Sequence, residues 1–208
     1  MTGRFITFEG GEGAGKSTQV RKLAAAFEAR GVPTITTREP GGSPGAEDIR
    51  KLLVNGEPGR WGALTETLLM FAARADHVAR TIKPALDEGR TVICDRFTDS
   101  TYAYQGAGRG LQRETIRRID SVVLDEFRPD LTLILDIPVT DGLRRADARA
   151  TGEGRFEKFD SAFHERLRMA FLDIAKRAAG RCVVVDASGS EDEVASAVWD
   201  AVASRFGL

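Results

Sequence analysis

The sequence predicts a doubly wound α/β fold: five parallel strands, helices on both faces and a short mobile lid. Three observations carry that prediction. Five short apolar runs, Phe5–Glu9, Pro33–Thr37, Thr91–Asp95, Leu131–Asp136 and Cys182–Asp186, are separated by helix-length segments, the pattern of parallel strands joined by crossover helices. The first run leads directly into Gly10-Gly11-Glu12-Gly13-Ala14-Gly15-Lys16-Ser17-Thr18, which matches the phosphate-binding pattern G-x-x-x-x-G-K-[ST]. The 208 residues suit one well-buried domain and are too few for two.

Each element follows from its residues. Phe5-Ile6-Thr7-Phe8 reads as a buried strand and Gln19 to Arg30 as a helix, which is the context a phosphate-binding loop requires. Glycines let such a loop turn tightly and bring backbone N–H groups close to a polyphosphate. Lys16 then supplies a point charge to the β- and γ-phosphates, and the Ser17 hydroxyl is placed to ligate Mg²⁺. Ile116, Ile119, Val122, Val123 and Leu124 recur with helical period. Ligands of doubly wound sheets collect outside the carboxyl ends of the strands, here Glu9–Gly15, Arg38–Gly42, Asp95–Phe97 and Asp136–Pro138. From Arg144 to Lys158, basic residues surround Thr151-Gly152-Glu153-Gly154. The glycines read as a flap over the phosphate site, or else as a solvated loop between helices.

Composition excludes several classes. A net charge of −1 with no basic block argues against a nucleic-acid surface. Cys94 and Cys182 sit in strand-like runs with no partner at metal-ligand spacing, and read as reduced core thiols. His77 and His164 are isolated, so zinc chemistry has no support. No secretory segment precedes the first strand and no apolar run approaches membrane-spanning length, so the expectation is a soluble, cytoplasmic protein with no membrane partner.

A phosphate-binding loop alone serves switches, motors and kinases. The only asparagine is Asn55, so the N-K-x-D element of a guanine-reading switch is absent, and motors are normally longer. The chain has 24 arginines against 6 lysines, and Arg38, Arg50, Arg74 and Arg96 fall near predicted strand ends. With the flap arginines they point to two phosphorylated ligands meeting in one cleft, because guanidinium forks suit phosphate. A slowly hydrolysing switch and a kinase for another monophosphate remain the alternatives.

Thr37-Arg38-Glu39-Pro40-Gly41-Gly42, Asp95-Arg96-Phe97, Ser100-Thr101-Tyr102-Ala103-Tyr104-Gln105 and Phe127-Arg128-Pro129-Asp130-Leu131-Thr132-Leu133 resemble the motifs of bacterial thymidylate kinases, in family order over nearly the whole chain. Glu12 within the loop and arginines in the flap are similar to the bacterial subclass. The resemblance implies a P-loop NTPase-type nucleoside monophosphate kinase domain over residues 1–208, with a lid at about 144–158, usually homodimeric. It implies transfer of the ATP γ-phosphoryl to dTMP with Mg²⁺, in dTTP synthesis. Residues 10–18 with Arg145 and Arg155 would bind ATP. Lys16, Arg96, Asp95, Arg149 and Glu12 would carry the chemistry, and Ser17 with Asp95 would serve the metal.

For the acceptor, the resemblance implies Glu39, Arg50, Phe71, Arg74, Arg96, Ser100, Thr101, Tyr104 and Gln105. Arg96 would hold the dTMP phosphate, reached also by Arg50, while Glu12 would approach the sugar. Phe71 would stack on thymine and Arg74 would donate to its O4. Those two lie three apart on one helix face, although Leu68, Leu69 and Met70 beside Phe71 read equally as core. Thr101 would meet the ring edge, and Tyr104 would fill the space of a ribose 2′-OH. Asp147 stands where close relatives often carry another arginine, and the Thr151–Gly154 turn is about one residue longer. Leu64/Leu68 and Ile116/Ile119 are apolar faces for a dimer contact or for the core. Glu39–Pro40 is expected to be cis: related chains carry a cis proline after this strand, and a sharp reversal would aim Arg38 and Glu39 into the cleft.

Overall fold

Strand β1 (Phe5–Gly10) is buried along its whole length, and the other elements of the computed structural model, which describes residues 3–57, 59–148 and 159–208, are arranged around it. Strands β2 (Thr34–Arg38), β3 (Thr91–Asp95), β4 (Leu131–Asp136) and β5 (Cys182–Asp186) complete one sheet in the order β2-β3-β1-β4-β5. Every pairing is parallel. The chain therefore winds from β1 outward to one edge and then to the other, leaving a crevice at the carboxyl end of β1 where the winding reverses.

Side-chain alternation along β1 assigns its residues to opposite faces. Ile6 and Phe8 join helices α1 (Lys16–Glu28) and α9 (Glu191–Phe206), through Val20, Leu23, Phe27, Val194, Val198 and Val202. Phe5, Thr7 and Glu9 face the other way. Phe5 packs edge-on against Phe97 at 5.0 Å and stacks with Phe127 at 5.5 Å. On this second face, α8 (Ser161–Arg177) contributes Phe163, Leu167, Phe171 and Ile174 to a cluster with Ala103, Tyr104 and Ile134. Each such side chain contributes about 1.5–3 kcal/mol by leaving water.

The remaining helices position the site. Helix α2 (Pro44–Val54) packs on α3 (Ala63–His77), which continues through a π-helical turn, Val78–Ile82, into α4 (Lys83–Asp87). After β3 come α5 (Thr98–Thr101), a π-helical segment Tyr102–Gly108 and α6 (Arg113–Leu124); α7 (Val139–Asp147) follows β4.

The strands fall where expected, with β2 one residue later than Pro33–Thr37. Proline has no N–H for the ladder, and Pro33 only accepts from the Thr91 N–H at 2.8 Å. Helix α1 starts at Lys16, three residues before the expected Gln19, because left-handed Gly15 (φ 88°) turns the loop straight into the first helical turn. The Glu39–Pro40 bond is cis. Both cysteines are buried and free. Of the expected lid, residues 144–147 belong to α7, and 149–158, with Arg149 and Arg155, lie outside the described residues. No helix among the described residues is long and apolar enough to cross a membrane. Leu64 and Leu68 stay exposed at 47% and 50%, whereas Ile116 is buried in the core.

The phosphate-binding loop and α7 touch backbone to backbone. A Cβ on Gly142 would meet the Glu12 carbonyl oxygen at 2.5 Å, and one on Gly13 would collide with the Gly142 carbonyl. Gly142→Ala is therefore expected to push α7 off the loop, costing about 1–3 kcal/mol as overpacking does. Thermal denaturation checks this, and an unchanged melting temperature would show that α7 yields freely.

Candidate active site

Three strand-to-helix loops meet over a cavity of about 370 Å³ at the carboxyl ends of β1, β2 and β3. Its phosphate end is the loop after β1. Lys16 occupies the first turn of α1, is 7% exposed, and donates from Nζ to the carbonyls of Gly11 (2.7 Å) and Gly10 (3.2 Å). Burial, seconded by the Arg96 charge, lowers its pKa to about 8 against the opposing pull of Glu12 and Asp95. Ser17 Oγ donates to Asp95 Oδ2 at 2.6 Å, so a hydroxyl and a carboxylate stand together at the cavity wall. That donor set fits Mg²⁺, which keeps several waters and takes one or two protein oxygens beside phosphates. No cluster of three His, Cys, Asp or Glu side chains suited to a metal exists among the described residues.

Arg96 stands at the middle of the cavity in a left-handed backbone conformation, φ 69°. Its guanidinium donates to Gly10 O (3.1 Å), Ser100 Oγ (3.3 Å) and Glu12 Oε1 (3.0 Å), and lies 4.9 Å from the Tyr104 ring centroid. The Tyr104 hydroxyl donates to the same Glu12 oxygen at 2.7 Å. Burial opposes ionisation of Glu12, but Arg96, Lys16 and the Tyr104 hydrogen bond outweigh it and hold the pKa down at about 2.

The far end is built on Arg74, which is 2% exposed. Its Nε donates to Glu39 Oε2 at 2.7 Å, and its terminal nitrogens reach Phe97 O (3.1 Å) and Thr101 Oγ1 (3.3 Å). The second Glu39 oxygen lies 3.0 Å from His77 Nδ1, whose Nε2 lies 2.7 Å from Thr37 Oγ1. Gln105 donates its amide to Glu66 at 2.9 Å, and Arg109 pairs with the same carboxylate at 2.8 Å. Arg50 donates to Pro40 O at 2.6 Å.

The structure brings most of the expected residues together. Glu12, Gly13, Gly15, Lys16, Ser17, Glu39, Arg50, Arg74, Asp95, Arg96, Ser100, Thr101, Tyr104 and Gln105 all line the one cavity. Gly10 and Gly11 border a smaller cleft beside β4 and α8, Ala14 is buried under the loop, and Thr18 lies half-buried on α1. Arg145 is on α7 and donates to the carbonyls of Ala187 (2.9 Å) and Ser188 (3.1 Å), so it is bound to the β5–α9 loop.

Phe71 is the one acceptor residue that the structure sets back from the cavity wall. It is 1% exposed and packs in the core with its ring 4.8 Å from the Arg74 guanidinium, supporting that residue from beneath; the wall residue on this turn is Met70. Helical phase explains the difference. Met70 lies four residues before Arg74 and lines the cavity with it, and Phe71 is rotated about 100° from Met70. Composition cannot separate two adjacent apolar residues at that spacing.

Sequence reasoning missed four polar residues. Glu9 and Glu66 are fully buried carboxylates, His77 backs Glu39, and Asp99 is paired with Arg181 at 2.7 Å. Two signals were available: an acidic residue closing an otherwise apolar strand, and His77 three residues from Arg74 on one helix face.

The family model for thymidylate kinase matches residues 8–198. A thymidylate kinase of Caulobacter vibrioides is 56% identical over 206 residues, covering 99% of this chain and 99% of its own length. One from Rhizorhabdus wittichii is 52% identical over 204 residues, covering 98% of each. The crystal structure of thymidylate kinase from Ehrlichia chaffeensis superposes with a TM-score of 0.79 at 34% identity, covering 97% of this chain and all of that one.

Two outcomes are expected. Phe71→Ala should cost about 3–5 kcal/mol of stability in urea denaturation, the loss for a buried aromatic; a stable variant would return Phe71 to the cavity wall. Raising the pH through about 8 should neutralise Lys16 in the nucleotide-free protein, so triphosphate binding must then take up a proton and weaken by at most about tenfold per pH unit. Calorimetry in two buffers of different ionisation enthalpy reads this, and equal heats above that pH would contradict it.

Proposed function

The chain belongs to the thymidylate kinase family, and on that premise we propose how its own residues move the γ-phosphoryl of ATP onto dTMP. It phosphorylates dTMP to dTDP, with ATP as donor. The observation that carries the residue-level reading is the single cavity with Lys16 and Ser17 at one end, Arg96 in the middle and Arg74 at the other.

The acceptor needs no strong base. A phosphate monoester has a second pKa near ~6 and is already an anionic nucleophile at neutral pH. The obstacle is repulsion between two polyanions, and fixed cations with good alignment remove it. Lys16 meets the β- and γ-phosphates. Arg96 holds the acceptor phosphate, with Glu12 and the Tyr104 ring keeping its guanidinium in place. Mg²⁺ held by Ser17 and Asp95 would neutralise charge on the donor phosphates. Arg145 steadies the loop after β5, while Arg149 and Arg155 supply lid charge.

The base is held at the far end. Arg74, fixed by Glu39, donates to the pyrimidine O4, and Met70 gives the ring an apolar wall beside it, with Phe71 against the Arg74 guanidinium. Thr101 and Gln105 meet the ring edge, and Glu12 approaches the sugar. Arg50 reaches the acceptor phosphate, and Tyr104 excludes a 2′-hydroxyl. The reading extends to one nucleoside monophosphate kinase domain, a cytoplasmic setting in dTTP synthesis, and a homodimer formed through the exposed Leu52, Leu64 and Leu68 on α2 and α3.

The test is ADP release with dTMP, with other monophosphates and with none. Turnover independent of dTMP would contradict the acceptor assignment. Lys16→Ala should keep the fold and lose several kcal/mol of transition-state stabilisation. A variant within about tenfold of wild-type turnover, ~1.4 kcal/mol, would exclude Lys16 from the reaction.

A further inference from the structure

Glu9 takes no part in the chemistry above, yet it is a fully buried carboxylate at the crevice end of β1. Strand alternation turns it away from α1 and toward the turn that follows β3. There it accepts three hydrogen bonds: Oε1 from the Phe97 N–H (2.8 Å) and the Ser100 N–H (3.2 Å), and Oε2 from the Ser100 hydroxyl (2.6 Å). Ser100 Oγ in turn accepts from the Arg96 guanidinium at 3.3 Å. One carboxylate thus grips the backbone immediately after Arg96 and, through one hydroxyl, the Arg96 side chain.

The turn needs such a grip because Arg96 has φ 69°, in the left-handed region that disfavours residues with a Cβ. Its own N–H is tied to Phe8 O at 2.8 Å, and the next N–H in the chain is the one Glu9 holds. From the other side, Arg181 clamps Asp99 through two bonds of 2.7 Å, fixing the body of α5. The strained residue is therefore pinned before, after and below.

We propose that Glu9 is the positioning residue for Arg96: it stabilises the left-handed turn and aims the guanidinium at the acceptor phosphate. This rests on the assignment of Arg96 to that phosphate. Burial, with the Asp99 charge, pushes the Glu9 pKa up to about 7; the hydroxyl relay and two backbone bonds are charge-assisted in the ionised form, and their loss has a measurable effect on acceptor use. The donor end is affected less: Lys16 shares only the Gly10 carbonyl with Arg96 and also donates to Gly11 O, while Ser17 is held by Asp95.

The experiment compares Glu9→Gln, Ser100→Ala, Arg96→Ala and the Glu9→Gln/Arg96→Ala double variant by steady-state kinetics. Thermal melts establish that each is folded. Glu9→Gln is expected to lower kcat/KM for dTMP by about ten- to a hundredfold, the loss of a charge-assisted hydrogen bond, with KM for ATP within about twofold. Ser100→Ala should show the same split in weaker form. In the Arg96→Ala background, Glu9→Gln should add less than about threefold, because no guanidinium remains to be aimed. A Glu9→Gln variant that loses thermal stability with dTMP kinetics intact would make Glu9 merely structural, and additive effects in the double variant would also overturn the proposal. If Glu9→Gln does not fold, Glu9→Asp, which keeps the charge and shortens its reach, decides by the same split, since Ser100 itself lines the cavity. Arg96→Ala with unchanged dTMP kinetics would overturn the acceptor-site reading itself, whereas a damaged Arg96→Ala beside a normal Glu9→Gln overturns only the role of Glu9.

Discussion

Burying guanidinium groups where a phosphorylated substrate must dock is the constraint to which the rest of the structure answers. An unpaired buried charge costs several kcal/mol, so each cation of the cavity needs a carboxylate that compensates it without occupying the position of the ligand. Glu39 does this for Arg74 through Nε, while Phe97 O and Thr101 Oγ1 accept from the terminal nitrogens of that cavity-lining guanidinium. Glu12 does it for Arg96 and is itself held ionised by that arginine, by Lys16 and by the Tyr104 hydroxyl. The compensation extends outward by one more layer, with His77 on Glu39, Glu66 on Gln105 and Arg109, and Arg181 on Asp99.

The sheet order makes this layering possible. Because β1 lies between β3 and β4, its final residues and the start of the phosphate-binding loop stand beside the turn after β3. Parallel register aligns Phe8 with Asp95, which brings Ser17 and Asp95 to hydrogen-bonding distance although they are 78 residues apart in sequence. The adjacent β2 sets Arg38 beside Asp95, and the chain beyond it carries Glu39 across to α3. Close backbone packing of Gly13 on Gly142 adds α7 to the same rigid frame.

Rigidity of this kind favours alignment of two anions over motion within the site. The catalytic demand is electrostatic preorganisation, and a cation already locked by hydrogen bonds needs little reorganisation as charge shifts between donor and acceptor. The guanidinium of Arg96 is paired on one edge and lies against a tyrosine ring. A flexible lysine in that position would lack the planar fork that allows this division.

Much of the fold was legible in the residues. Apolar runs at strand length, spaced by helical segments, specify the parallel sheet, and the G-x-x-x-x-G-K-[ST] pattern specifies the loop, because both are local consequences of side-chain period and glycine freedom. The resemblance carried the candidate residues, from Glu39 and Arg74 to Tyr104 and Gln105, into one cavity. Sequence could not decide between Met70 and Phe71, since both are apolar and only the rotation of α3 against the core separates wall from interior. Nor could it assign Glu9, His77, Glu66 or Asp99, whose roles depend on partners contributed by distant segments. The sequence by itself determined the sheet, the phosphate loop and the kind of charge around it; tertiary structure alone decided which carboxylate compensates which arginine, because a buried ion pair is defined by distance in the folded chain and has no local periodicity to announce it.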